Sequence, residues 1–139
     1  MNQPRPRGAA VFWWWLTAIV ATALYIVADS NAVYEATSPS GLSFHVVLRK
    51  FYSIVAFAVV GFCFAKARKI DGASTSLAAV GALVGAYSLA IEITQFFLGP
   101  PEGLGWNVAD IAMGVVGGIL GAVAVRHTAA ASSTPRRLS

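Results

Sequence analysis

The stretch ASTSLAAVGALVGAYSLAIEITQFFL, residues 73–98, carries one charged side chain, Glu92, and ends at Gly99-Pro100-Pro101. A helix needs about 20 predominantly apolar residues to cross the hydrocarbon core of a bilayer, and this stretch supplies them. Three further stretches do the same. Ala9 to Ala28 is uncharged and runs into Asp29. Phe51 to Ala65 is an uncharged core between Arg49–Lys50 and Lys66. The last opens near Asn107, contains Asp110, and continues to Val125 before Arg126. The first is too long for the apolar region of a cleaved signal peptide and reads as a retained helix. The expected fold is all-α: a polytopic membrane bundle of four transmembrane helices.

Composition excludes the main alternatives. The chain has 139 residues, 57% of them hydrophobic and 12% charged, with a mean hydropathy of +0.67. Soluble domains carry roughly 25% charged residues, so neither a soluble enzyme nor a disordered chain fits. The single cysteine, Cys63, excludes an internal disulfide and any multi-thiolate metal site. A pI near 9.6 can signal nucleic-acid binding, but here the ten Lys and Arg stand at the ends of apolar runs. That placement speaks for membrane orientation and against a nucleic-acid partner.

The same charges set the direction. Arg5, Arg7, Lys66, Arg68, Lys69, Arg126, Arg136 and Arg137 fall on one side, and Arg49 and Lys50 on the other. The positive-inside rule then places both termini in the cytoplasm. Residues 1–8 read as a cytoplasmic segment, 9–126 as the four-helix domain and 127–139 as a disordered cytoplasmic tail. Trp13, Trp14 and Trp15 at the inner end of span one, and Trp106 at the outer end of span four, read as interface anchors. Leu42–Leu48 reads as a short helix along the outer interface, with His45 an interfacial polar tip. Asp29, Glu35 and Glu102 read as solvated loop charges.

Residues at i, i+3, i+4 and i+7 share a helix face. Span three places Gly81, Gly85, Ser88, Glu92 and Gln95 on one stripe, span four Asp110, Gly114, Gly117, Gly118 and Gly121, and span two Lys50, Ser53, Phe57 and Gly61. Small residues at this spacing let helix backbones approach closely, within the chain or between copies of it. If spans three and four pack antiparallel along the glycines, Glu92 and Asp110 reach the same outer level, joined by Arg49 and Lys50. Glu92 then lies roughly 6–9 Å inside the outer boundary. A charge near a helix centre costs ~2.5–3.5 kcal/mol on insertion scales, so this carboxylate should face the bundle interior with a counter-group. Glu92 either belongs to a functional site or forms an ion pair that fixes register. Asp110 either joins that site or caps the last helix at N3 after an Asn107 N-cap. Gln95 either orients Glu92 or bonds its own interface.

Arg49-Lys50 followed by Ser53 and Phe57, then Glu92-Ile93-Thr94-Gln95, a Pro/Gly loop at 99–103, and Asp110 with Gly114, Gly117 and Gly121 together resemble the VanZ-like family of small bacterial membrane proteins. The resemblance covers about residues 45–125. Ser53 stands where that family usually has His, Phe57 where it has Tyr and Gly114 where it has Asn, and the loop Arg is missing. The resemblance implies a multi-pass protein of the bacterial inner membrane with an envelope role, linked through the family's namesake to tolerance of glycopeptide antibiotics. It carries Lys50, Glu92, Gln95 and Asp110 over as site residues.

The expected function is binding of a lipid head group, a lipid-linked wall precursor or a membrane partner at an outward-facing polar site of Arg49, Lys50, Glu92, Gln95 and Asp110. No catalytic residue, cofactor or metal is expected. The alternative is an intramembrane enzyme acting on a lipid-linked envelope substrate, with Glu92 and Asp110 as acid and base or as holders of a divalent cation. Cys63 lies far down span two and Ser53 has no adjacent His, so no activated nucleophile is evident. A transporter fits poorly with four spans that show neither a repeat nor a broken helix. Self-association through the glycine faces is a further expectation.

Overall fold

The computed structural model describes residues 7–28, 30, 45–98 and 104–132, and within these the structure is helical apart from Ser30 and the 71–76 connection. In chain order the helices are α1 (Arg7–Ala28), α2 (His45–Ile70), α3 (Leu77–Leu98) and α4 (Leu104–Ser132). Each contains a stretch long and apolar enough to cross a membrane: 8–28, 50–70, 77–97 and 108–128. At 1.5 Å per residue the helices are about 33 to 43 Å long, enough for the ≈30 Å hydrocarbon core. The segment 1–6, Asp29, Glu35, Glu102 and the tail from 133 onward lie outside the described residues, as do the side chains of Arg49, Trp106 and Asn107.

Two boundaries differ from the sequence reading, and both matter for the site. His45–Leu48 is the first turn of α2 and runs unbroken into the span, so no separate helix covers these residues. Leu42–Phe44 lies outside the described residues. α4 begins at Leu104, which puts Asn107 inside the helix and Asp110 beyond its first turn. Asn107 is therefore not an N-cap, and Asp110 is not at N3. Its carboxylate has a different partner, described below.

The α2–α3 connection is closed by local hydrogen bonding. Gly72 takes a positive φ of 78°, its N–H donates to Lys69 O (3.0 Å), and the Ala73 N–H donates to Arg68 O (3.0 Å). This is a Schellman stop, which needs a residue without Cβ at the left-handed position. Ser76 then caps α3, its Oγ accepting from the Ala79 N–H at 3.0 Å.

α4 is the central element, packed closely on both α2 and α3, which barely touch each other. The glycines make this possible. A Cβ on Gly117 would lie 2.6 Å from Phe57 Cβ, and one on Gly61 would lie 2.7 Å from the Gly118 Cα, so the α2–α4 seam is backbone against backbone. On the other flank, a Cβ on Gly114 would meet Ser88 and one on Gly118 would meet Val84, while Gly81 and Gly85 accommodate Ile119 and Val115. All six of Gly81, Gly85, Gly114, Gly117, Gly118 and Gly121 are spent on contacts inside the chain. Lipid tails are as apolar as Leu, so close packing of small residues replaces the hydrophobic effect as the cohesive term. The interior reflects this: its largest fully buried side chains are Val80, Val84 and Ser88, while Phe12, Trp15, Ile19, Phe96 and Phe97 face outward.

α1 is attached differently. Only 6% of its spanning stretch is buried, against 33–39% for the others. It packs on α2 and reaches α3 through side-chain hydrogen bonds. At the end where α1 and α3 begin, Trp13 and Trp14 stack edge-on against Phe62 and Phe64 of α2, and Trp14 Nε1 donates to Asp71 Oδ2 at 2.6 Å. The two indoles expected to be interface anchors thus also fasten α1 to the α2–α3 turn. Trp15 remains exposed.

Candidate functional site

The opposite end, where α1 and α3 finish and α2 and α4 begin, holds the remaining intramembrane charges. α2 and α4 run parallel, and Phe57 packs beside Gly117. Two turns toward the start of both helices the same register brings Lys50 to Asp110. The Lys50 Nζ donates to Asp110 Oδ2 in a short ion pair. Both side chains are largely enclosed, at 11% and 16% exposed. An enclosed cation and anion need each other, because either one alone would meet a low-dielectric surrounding unpaired.

α3 supplies the third wall. It runs antiparallel to α4, and the contacts step by four residues in opposite directions: Val84 meets Gly118, and Ser88 meets Gly114. The same register, carried one step further, sets Glu92 at the level of Asp110. Ser88, itself fully buried, donates its Oγ to the Asp110 carbonyl oxygen at 3.0 Å and so pins the α4 backbone at this level. Glu92 is 8% exposed, the most buried charged side chain among the described residues. Glu92, Lys50, Ser53 and Tyr87 each have a further interaction, so none of these groups stands isolated.

Lys50 and Asp110 thus meet in an ion pair, and Glu92 lies on α3 one step of four residues beyond Ser88. Of the expected site residues, Arg49 has its side chain outside the described set. Gln95 takes the second of its two expected roles, with its Nε2 donating to the carbonyl of Ala28, the last residue of α1, at 2.9 Å. That carbonyl is among the four at a helix end without an intrahelical partner, and within a bilayer such a group must be satisfied by protein. Tyr25 and Thr94 share a short hydroxyl–hydroxyl bond one turn away, and the Tyr87 hydroxyl donates to the Ala21 carbonyl at 2.5 Å. These three α1–α3 links are absent from the sequence reading. A hydroxyl or amide on an apolar helix does not disclose which partner it will find, although the Tyr87, Thr94, Gln95 spacing does mark one face of α3. Phe57 lies in the core, edge-on to Tyr87 at 6.3 Å between centroids. The described residues contain no group of three His, Cys, Asp or Glu side chains placed to hold a metal ion.

No family model, curated protein or solved structure matches this chain.

The chemical character of the site is set by its charges. One cation and two carboxylates sit near one end of the spans, at the junction of three helices. Lys50 offers donors, and Asp110 and Glu92 offer acceptors. Such a cluster can hold a polar or zwitterionic group whose remainder is apolar.

Proposed function

We propose that this chain is a VanZ-like multi-pass protein of a bacterial inner membrane, with both termini cytoplasmic, that binds a lipid head group or lipid-linked envelope precursor at its Lys50–Glu92–Asp110 end. The observation that carries the reading is the enclosed Lys50–Asp110 pair at the start of two spanning stretches, together with the buried Glu92 near the end of a third. Intramembrane ionisable residues are costly and mark substrate or ligand sites as a rule. The motif order that resembles the family supports the envelope assignment, and the possible link to glycopeptide tolerance belongs to that resemblance. Ser53 and Phe57, in place of the family's His and Tyr, favour binding over proton transfer.

The test is native mass spectrometry of the full chain extracted from membranes in mild detergent. The parent should carry a co-purified lipid or precursor adduct, and Glu92→Gln, nearly isosteric, should lose it while retaining the parental melting temperature. Identical adducts in both forms would overturn the assignment.

A further inference from the structure

The opposite end of the bundle carries a second charge cluster that the proposed function does not use. The last turn of α2 presents Arg68 and Lys69, with Lys66 one turn earlier, its Nζ standing 5.9 Å from the Trp13 ring centroid. From α4, Arg126 reaches the same turn and donates from Nη2 to the Thr75 carbonyl at 3.2 Å. Four cations from two helices thus gather around one connection. Asp71, the one acid among the described residues at this end, is drawn aside by the Trp14 indole N–H. Complementing the α2 dipole would account for Arg68 and Lys69, but it does not call for Arg126 or Lys66.

We propose that the 66–76 turn, with Lys66, Arg68, Lys69 and Arg126, is a binding site for the phosphodiester head group of an anionic phospholipid. The partner is a lipid and not an acidic protein, because Lys66 stands over Trp13 of α1, itself edge-on to Phe12, and Val11, Phe12 and Trp15 of the same helix are exposed and apolar, a surface along which acyl chains can lie. Trp14 and Trp13, amphipathic and held against α2, stand at the head-group level. Lys66 and Arg126 carry donors suited to phosphate oxygens.

The site contains its own reporter. In a Trp106→Phe background, the three remaining indoles, of four in the chain, all lie at this end of α1. The full chain is reconstituted in phosphatidylcholine vesicles containing a small fraction of phosphatidylglycerol. One or the other lipid is brominated high on its acyl chain, and fluorescence quenching is read. Phosphatidylglycerol should show an apparent preference of about fivefold over phosphatidylcholine, the worth of one directly engaged cation. Arg68→Gln with Lys69→Gln should abolish that preference. Arg136→Gln with Arg137→Gln, which removes the same number of charges from the tail, should leave it intact. Lys69→Gln alone, at an exposed position, should give an intermediate loss. Equal quenching by both lipids in the parent overturns the proposal. Equal loss in the two double variants also overturns it, since that is the behaviour of a diffuse field. Displacement by inorganic phosphate beyond that of chloride at equal ionic strength refutes the lipid assignment.

Discussion

Lys50→Met is the most informative perturbation of the candidate site. Methionine keeps much of the volume of the lysine stem and removes the charge. Asp110, 16% exposed, is then left beside Glu92, 8% exposed, without its ion-pair partner. Removing one member of an enclosed pair typically costs about 3–5 kcal/mol, because the survivor remains desolvated and unpaired. Insertion scales give a consistent figure of about 2.5–3.5 kcal/mol for one uncompensated charge in the membrane. We therefore expect Lys50→Met to weaken folding by about 3 kcal/mol, a shift of roughly a hundredfold or more in the unfolding equilibrium. Replacing both partners, as Lys50→Met with Asp110→Leu, removes the orphan as well and should recover most of the loss. The assay is equilibrium unfolding in mixed detergent micelles, read by tryptophan fluorescence, for the parent, both single variants and the double. The cycle should show a coupling of at least about 1 kcal/mol. Additive losses, or single variants of parental stability, would show that the pair is not enclosed as the structure describes. The rescued double variant should still lack the adduct that the parent carries, which separates holding the fold from holding a ligand.

Gly61→Ala would place a Cβ 2.7 Å from the Gly118 Cα and carbonyl oxygen, atoms that cannot swing aside. It should lower stability by about 1–3 kcal/mol, while Gly8→Ala, with nothing within 4 Å, should be neutral in the same unfolding assay. Gln95→Leu removes the donor to the Ala28 carbonyl and should cost about 0.6–2 kcal/mol, with faster hydrogen exchange confined to the last turns of α1. Trp14→Phe retains the contact with Phe64 but loses the bond to Asp71, and should cost about 1 kcal/mol, seen as a lower melting temperature. In a Cys63→Ser background, a membrane-impermeant maleimide should label Ser74→Cys only after spheroplasts are broken. Labelling of intact spheroplasts would reverse the topology.

The helices were legible because apolar run length is a direct consequence of bilayer thickness. The level of the site was legible for a related reason: glycines at four-residue spacing fix which faces meet, and once Gly114 meets Ser88, Glu92 must arrive near Asp110. The role of Asp110 was less accessible. An acid three residues after Asn107 looks like a cap until the helix is seen to start at Leu104, and helix starts depend on loop geometry that hydropathy does not encode. Gln95 was ambiguous on similar grounds, since its partner is a backbone carbonyl of α1, and carbonyls have no sequence signature. Asp71 drew no attention among its basic neighbours, although its bond to Trp14 fixes how α1 meets the rest.

The hydrogen-bond partners of α1 have a bearing on how the molecule is made. Trp14, Ala21, Tyr25 and Ala28 each await a residue 57 to 69 positions downstream. At a synthesis rate of about 5–20 residues per second, α1 leaves the ribosome several seconds before α3 exists to receive it. The first helix must therefore enter the bilayer on hydropathy alone and drift there as a single rod. It is first in the order of translation, yet its bonds to α3 close late, and until then α2 is the partner it can pack against.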